Sequence, residues 1–426
     1  MNPTIAQLKE HARQLLEDNI LSFWLTRMTD HEHGGFYGRI DGQGVLHADA
    51  PKGAVLNARI LWAFAAAYRV LRKPEYLDAA TRAKEYFLQH FIDPDYGGVY
   101  WSLDYKGQPL DTKKQFYAIG FAIYGLSEYA RATGDREALN YALQLFDSIE
   151  QHALDPQYGG YIEATTRYWK PIADMRLSNL DANYPKSQNT HLHILEPYTN
   201  LLRTLKELCP SAAPSIPPCP PVKSSLYSGG AAVAQAAVGA ALRRLIGIFT
   251  DHILNPETHH LDLFFEMDWR RGAGHVESYG HDIECSWLMH EAALVLGDEA
   301  VLRRVEPVVR QVAVASEKGL NADGSMTHEA NLDTGLVDAD RHWWVQAENV
   351  VGWINIYQHF GDRQALHNAV MGWQYIKHNL IDYDHGEWFW SRRPDGTVNR
   401  DDDKAGFWKC PYHNSRMCLE IIERKL

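Results

Sequence analysis

The sequence predicts an all-α protein, an (α/α)6 barrel of six helical hairpins. Three observations carry this: a turn that recurs at a fixed period, twelve helical segments between its copies, and a repeated joint inside the helix pairs. The turn combines Asp, Gly, His and aromatic residues. It reads HEHGGFYGRID at 31, PDYGGVYWSLD at 94 and PQYGGYIEAT at 156. Weaker copies are ETHHLDLFFEMD at 257, NADGSMTHEANLD at 321 and YDHGEWFWSRRPDG at 383. Anchored on Gly34, Gly97, Gly159, His260, Gly324 and Gly386, the steps are 63, 62, 101, 64 and 62 residues. A constant step marks a repeat architecture. An open solenoid is the alternative for helical repeats. Six units, with the chain stopping at the sixth, favour closure.

Apolar residues at three- and four-residue spacing define the helices in order. The first lies near Ile5–Leu25. Leu56–Val70 and Glu75–Phe91 follow, then Phe116–Ala132 and Glu137–His152. Asn189–Leu208, Leu242–Leu254, His281–Leu296, Val301–Glu317, Trp343–Phe360, Gln364–Leu380 and Pro411–Arg424 complete the twelve. The joints TGDREA, LGDEAV and FGDRQA place Gly at a helix end and Asp as the next cap. The 101-residue step exceeds its neighbours where composition changes, from Cys209 to Leu242. Prolines cluster there and cannot be helix interior. The expectation is one domain over residues 1–426, with a Pro/Ala/Gly-rich surface insert at about 209–240.

Composition narrows the function. There are 42 Lys+Arg against 54 Asp+Glu, a net charge of −12, where a nucleic-acid binder would need a basic face. Five cysteines stand at 209, 219, 285, 410 and 418 with no CxxC pair, so neither a zinc knuckle nor a disulfide framework is indicated. A reduced, cytoplasmic setting is the simplest reading. The N-terminal MNPTIAQLKEHARQ carries charges where a signal peptide carries an apolar core. No run reaches the roughly 18 apolar residues that would span a bilayer. Trp, Tyr and Phe number 13, 22 and 14, and His 21. Aromatics usually build cores, but this excess in an acidic protein also suits a cleft whose rings stack on sugars.

In such a barrel the even helices line the inside and start at one mouth, so their first turns are where chemistry belongs. The second helix carries Arg59 and the fourth begins at Tyr117. The sixth begins with Asn189 and continues through His193. The eighth starts with His281 and Glu284, the tenth with Trp344 and Glu348, and the twelfth follows Trp408 and carries His413. A lone histidine at a helix start is more often a cap or a core residue, and His281–Glu284 at i, i+3 is equally a local ion pair. The coincidence across six equivalent positions is the signal. Two histidines from different helices suit proton transfer at carbon near neutral pH. Glu284 would orient His281, and Arg59 would stabilise an enediolate oxygen.

The strings SYGHDIECSWLMHEAA (278–293), RHWWVQAENVVGW (341–353) and GFWKCPYHNSRMCLEII (406–422) resemble the N-acylglucosamine 2-epimerase superfamily, and within it the cellobiose 2-epimerases. LNARILWAFAAAYR (56–69) and NTHLHILEPYTNLLR (189–203) agree. The resemblance covers nearly the whole chain except Cys209–Leu242. It implies an (α/α)6 barrel that epimerises the reducing-end glucose of a β-1,4-linked disaccharide at C2, through ring opening and a cis-enediol, with no metal and no other cofactor. It implies that His281 and His413 are the acid/base pair, that Glu284 supports His281, and that Arg59 and His193 hold the O1/O2 side. Tyr117, Asp181, Asn189, Trp344 and Trp408 match sugar-contacting positions, and Glu348 joins them as a substrate-binding candidate. The expected partner is a small-molecule disaccharide, with no nucleic acid and no membrane; the oligomeric state is not readable from the sequence, and a monomer is the simplest expectation.

Rival readings are an inverting glycoside hydrolase using two of Asp181, Glu284 and Glu348, a metal enzyme using His193, His281, Glu284 and His413, and a non-catalytic sugar-binding barrel. Within the enzyme reading, an aldose–ketose isomerase or a monosaccharide 2-epimerase shares the same enediol.

Overall fold

The structure, a computed structural model, describes residues 5–209 and 230–426. Twelve helical rods form two concentric rings. We label them α1 (5–27), α2 (Ala54–Leu71), α3 (74–91), α4 (Phe116–Thr133), α5 (Arg136–His152), α6 (Gln188–Leu208), α7 (Ala231–Ile253), α8 (Tyr279–Leu296), α9 (Glu299–Ser316), α10 (Trp343–Phe360), α11 (Arg363–Asn379) and α12 (His413–Glu423). The even helices pack on one another in sequence, and α12 returns to α2, so the inner ring closes. Each odd helix lies outside. Every inner helix pairs with the outer helix that follows it, and α12 pairs with α1. Lys9 Nζ donates to the carbonyls of Ile422 (3.1 Å) and Arg424 (2.6 Å) across that last pair.

The amphipathic character sorts the rings. Residues Ala54 to Ala67 of α2 are buried without a break, as a helix enclosed on every side must be. The outer α5 buries only a stripe including Ala138, Ala142, Phe146 and Ile149. Three inner-to-outer joints follow the expected chemistry. Gly134, Gly297 and Gly361 take positive φ of 79°, 72° and 70°. Asp135, Asp298 and Asp362 then accept hydrogen bonds from the first backbone N–H groups of α5, α9 and α11.

The recurring turn stands at the other end. It opens with Asp30, Asp93, Asp155, Asn255, Asn321 or Asp382, whose backbone N–H bonds a carbonyl four or five residues on. A residue with positive φ closes each: Gly34 (80°), Gly97 (71°), Gly159 (73°), His259 (60°), Gly324 (85°) and Gly386 (76°). The fourth anchor is therefore His259, one residue before the His260 expected from the sequence. The doubled histidine hid the register, and a non-glycine residue occupies the left-handed position there.

A buried ion pair fixes four of these turns to the inner ring. Lys52, Lys114 and Lys186 each lie two residues before an inner helix and reach Asp30 (2.7 Å), Asp93 (2.9 Å) and Asp155 (2.7 Å). Lys404 reaches Asp382 in the sixth repeat. Where the turn opens with neutral Asn255 or Asn321, the residue two before the helix is Glu277 or Arg341 instead. A buried lysine thus appears only where a carboxylate awaits it, as the cost of burying a lone charge requires. Short antiparallel strands complete the mouth: Lys52–Gly53 on Ser102–Leu103, Lys114–Gln115 on Ala164–Thr165, Lys186–Ser187 on Phe264–Phe265, Val276–Ser278 on Glu329–Asn331, and Arg341–His342 on Ser391–Arg392. The bridge Ile40–Ala405 closes this ring as well.

Three expectations change. The seventh helix begins at Ala231, eleven residues before Leu242, because the small apolar run continues the helical stripe of Ala234, Val238 and Leu242. The rest of the proline-rich stretch, 210–229, lies outside the described residues. Cys209 is disulfide-bonded, whereas Cys285, Cys410 and Cys418 are free and buried. Finally, Ala54–Leu71 and Ala231–Ile253 are long and apolar enough to cross a membrane, by length and composition. Their apolarity has another use here, since one is a wall of the inner ring and the other packs on α6 and α8.

The ion pairs give a first test. Lys52→Met leaves Asp30 buried and unpaired, and should lower stability by about 3–5 kcal/mol in denaturant unfolding. Adding Asp30→Asn should recover part of that loss, since two turns of the same protein already use Asn. Equal stability of Lys52→Met and wild type would contradict the assignment.

Candidate active site

The inner-helix N-termini face the mouth because their first N–H groups donate to carbonyls of the next repeat's loop. Ala54 donates to Trp101 (3.0 Å), Phe116 to Glu163 (3.1 Å), Gln188 to Leu263 (2.9 Å), Tyr279 to His328 (3.2 Å) and Trp343 to Trp390 (2.9 Å). The side chains one or two turns further in therefore converge on the axis.

At the floor, the Arg416 guanidinium of α12 binds three buried carboxylates. Nη2 donates to Glu284 Oε1 and Glu348 Oε1, both at 2.6 Å, and Nη1 to Glu196 and the Tyr412 hydroxyl. Burial and the charge of Glu348 push Glu284 well above the usual carboxylate range. Burial also raises Glu348. Burial opposes charge on Glu196 too, but Arg416 and the His193 hydrogen bond outweigh it and bring it down to about 2.

Two of these carboxylates hold histidines. Glu348 Oε1 is 2.7 Å from His413 Nδ1, and Glu196 Oε2 is 3.1 Å from His193 Nδ1. Trp287 Nε1 donates to the other Glu348 oxygen at 2.9 Å. His281 is held differently, by Ser278 Oγ at 2.8 Å from Nδ1. Burial drives His281 and His413 well below the ordinary imidazole value; His193 adds to the effect on the first, and Arg416 and Arg59 on the second. Burial thus disfavours the protonated form of both rings. With each Nδ1 engaged, each Nε2 is left to act on a ligand.

Trp344 lies between them, 4.8 Å from the His281 ring and 5.7 Å from the His413 ring, centroid to centroid. Gly280 makes room for it: a Cβ there would stand 2.7 Å from the indole. Arg59 sits under Phe121 and Tyr412, with its guanidinium 4.1 and 4.6 Å from their ring centres, and donates to Tyr117 Oη at 2.9 Å. Its Nε has no hydrogen-bond partner among the described residues. The ring of His193 packs on Tyr117 at 5.0 Å, and Tyr117 on Trp408 at 6.0 Å. A cleft of about 770 Å³ opens beside His281, lined by Asp181, Asn189 and the loops of α6 and α8. Its size suits a small ligand. Asn189 Oδ1 is buried there without a partner, and Asp181 caps its own turn through Ser178 N at 2.8 Å.

The structure thus brings Arg59, Tyr117, His193, His281, Trp344, Trp408 and His413 to one mouth, with Asp181 and Asn189 on the adjoining wall. Two expectations are corrected. Glu284 does not hold His281; it lies on Arg416 and 3.8 Å from His413 Nδ1, because α8 turns residue 284 into the floor. Glu348 does not face a sugar; it is fully buried and orients His413. Sequence reasoning also missed Arg416 and the role of Glu196. A signal was present: His193–Glu196, His281–Glu284 and His413–Arg416 repeat one i, i+3 spacing on three inner helices.

Comparison with known proteins bears on the family and the fold. The family model for N-acylglucosamine 2-epimerase matches residues 35–197 and 239–416. Cellobiose 2-epimerase of Bacteroides fragilis is 55% identical over 415 residues, covering 97% of this chain and 98% of its own. That of Ruminococcus albus is 39% identical over 413 residues, covering 97% of each. The solved cellobiose 2-epimerase of Bacillus thermoamylovorans superposes with a TM-score of 0.87 at 37% identity, covering 98% of this chain and 100% of that one. The two segments of the family match run from the first recurring turn to Arg416, and the chain belongs to the N-acylglucosamine 2-epimerase family.

Proposed function

We propose that the protein epimerises the reducing-end glucose of β-1,4-linked disaccharides such as cellobiose and lactose at C2. The observation that carries this is the pair of histidines at the mouth, a part-buried one from α8 and a buried one from α12, both in ring contact with Trp344. Identity of 55% to a cellobiose 2-epimerase supports the substrate class.

The chemistry follows from the groups available. The pyranose opens when a proton passes from the C1 hydroxyl to the ring oxygen. One histidine Nε2 takes the proton from C2, and the electron pair moves into a C1–C2 enediolate whose O1 charge faces Arg59 and His193. After rotation about C2–C3, the other histidine, which enters the step as the imidazolium, returns its proton to the opposite face of C2 and ends neutral, so the pair carries one proton throughout. Glu348 holds His413 in the tautomer whose Nε2 is basic, and the Ser278 hydroxyl orients His281 through Nδ1. Glu284 and Glu348 are spent on Arg416, which leaves the hydrolase reading without its carboxylate pair. The metal reading loses its one carboxylate, because Glu284 lies on the Arg416 cation.

With cellobiose or lactose, EDTA-treated protein should yield glucosyl- or galactosyl-mannose without free monosaccharide. Released glucose would favour a hydrolase, and a ketose product an isomerase. In D2O the new C2–H should carry solvent deuterium; product without it would overturn the two-histidine route. His281→Ala and His413→Ala should each lower turnover at least ~10²-fold, and the double variant little further, as expected of residues acting as one unit.

Glu348→Gln tests the positioning role. It should lower kcat by less than His413→Ala while leaving KM nearly unchanged, since it touches the base and not the sugar. A raised KM at constant kcat would return Glu348 to the substrate-binding set. Because burial lowers both histidines, the acid limb of kcat/KM should lie below the free-imidazole pKa of about 6.5, with activity lost as pH falls through it.

A further inference from the structure

His328, Asp338 and His342 form a cluster on the cleft wall that the steps above do not use. Asp338 Oδ2 lies 2.8 Å from His328 Nδ1 and 3.3 Å from His342 Nε2, and the three donor atoms all fall within 4.8 Å of one another. The imidazole centroids are 4.3 Å apart. Each donor is held by its own backbone element. The His328 carbonyl accepts the first N–H of α8, Asp338 Oδ1 accepts Asp340 N at 3.1 Å, and His342 is the N-cap of α10. The side chains are part-exposed, at 19%, 40% and 16%, so an ion from solvent can reach them.

We propose that His328, Asp338 and His342 bind a divalent late transition-metal ion, with zinc the best fit, at the wall of the cleft and apart from the reacting histidines. Two imidazoles and one carboxylate select zinc, cobalt, nickel or copper over magnesium and calcium, which prefer all-oxygen sites. Donors about 2.0–2.1 Å from a tetrahedral ion stand about 3.3 Å from each other. The observed 2.8 and 3.3 Å edges to Asp338 match that spacing to within about half an ångström, and the edge between the two histidine donors, within 4.8 Å, closes on the ion. Three protein ligands leave the fourth position open. A second convergent group, Glu284, Glu348 and His413, meets the same spacing but already surrounds the Arg416 cation, which repels an ion. The ion would tie the hairpin of Glu329–Asn331 and Val337–Asp338 to the start of α10, on which Trp344 stands.

The test uses the full-length protein after dialysis against EDTA. Cobalt titration should produce a visible d–d absorption band, and zinc calorimetry should give one strong site per chain. Magnesium should give neither. His328→Gln, Asp338→Asn and His342→Gln should each weaken binding by more than the roughly 10–100-fold that losing an outer-shell partner costs, with circular dichroism confirming the fold. His281→Ala should keep the site. Absence of cobalt and zinc binding in the wild type, binding that survives the triple variant, or binding lost with His281→Ala would each overturn the proposal.

Discussion

One guanidinium holds the floor of this barrel together. Arg416 stands among Glu196, Glu284 and Glu348, all three excluded from water. Without it, three buried carboxylates would face one another at low dielectric. With it, they share the burden unequally. Glu196 is held low and Glu284 is pushed up, while Glu348 is turned to His413. Four inner-ring helices meet at this point, from α6, α8 and α10 to α12. The same contact therefore sets both the diameter of the ring and the orientation of two histidines.

The functional groups are layered around that floor. Behind are the carboxylates and Arg416, then His193, His413 and Arg59, then His281 and Trp344 where the cleft opens. Both acid/base candidates are oriented through Nδ1, but by different means: the buried Glu348 carboxyl group for His413 and the Ser278 hydroxyl for His281. The two rings are thus not chemically equivalent. The asymmetry gives the two directions of the proposed epimerisation different resting states.

Much of this was legible in the sequence because it repeats. The period of the turn and the Gly–Asp joints are local signals; the joints stand where expected, and so do the turns except the fourth, whose anchor lies one residue early. The site residues were found by asking what six equivalent helix starts have in common. Failures arose where a residue's partner is distant in sequence. His281 and Glu284 share a helix face, and the eye pairs them, yet the partner of Glu284 is Arg416, 132 residues away. Glu348 was read as facing the sugar for the same reason: nothing local says that residues 287 and 413 enclose it. The seventh helix was shortened because small residues beside prolines resemble a loop, although Ala has the highest helix propensity.

The pairing of α1 with α12 has a consequence in time. The face of α1 that carries Leu8, Ala12 and Leu16 is buried in the finished ring. The bond from Lys9 to the Ile422 carbonyl spans 413 residues. At about 5–20 residues per second of synthesis, α1 waits roughly 20–80 s for its partner to be made. Throughout that interval the first helix presents an apolar stripe with nothing in the nascent chain to cover it. Five-sixths of a barrel is also an open crescent whose edge helices are apolar. The closed ring thus makes the nascent protein a client for whatever shields hydrophobic surface at the ribosome.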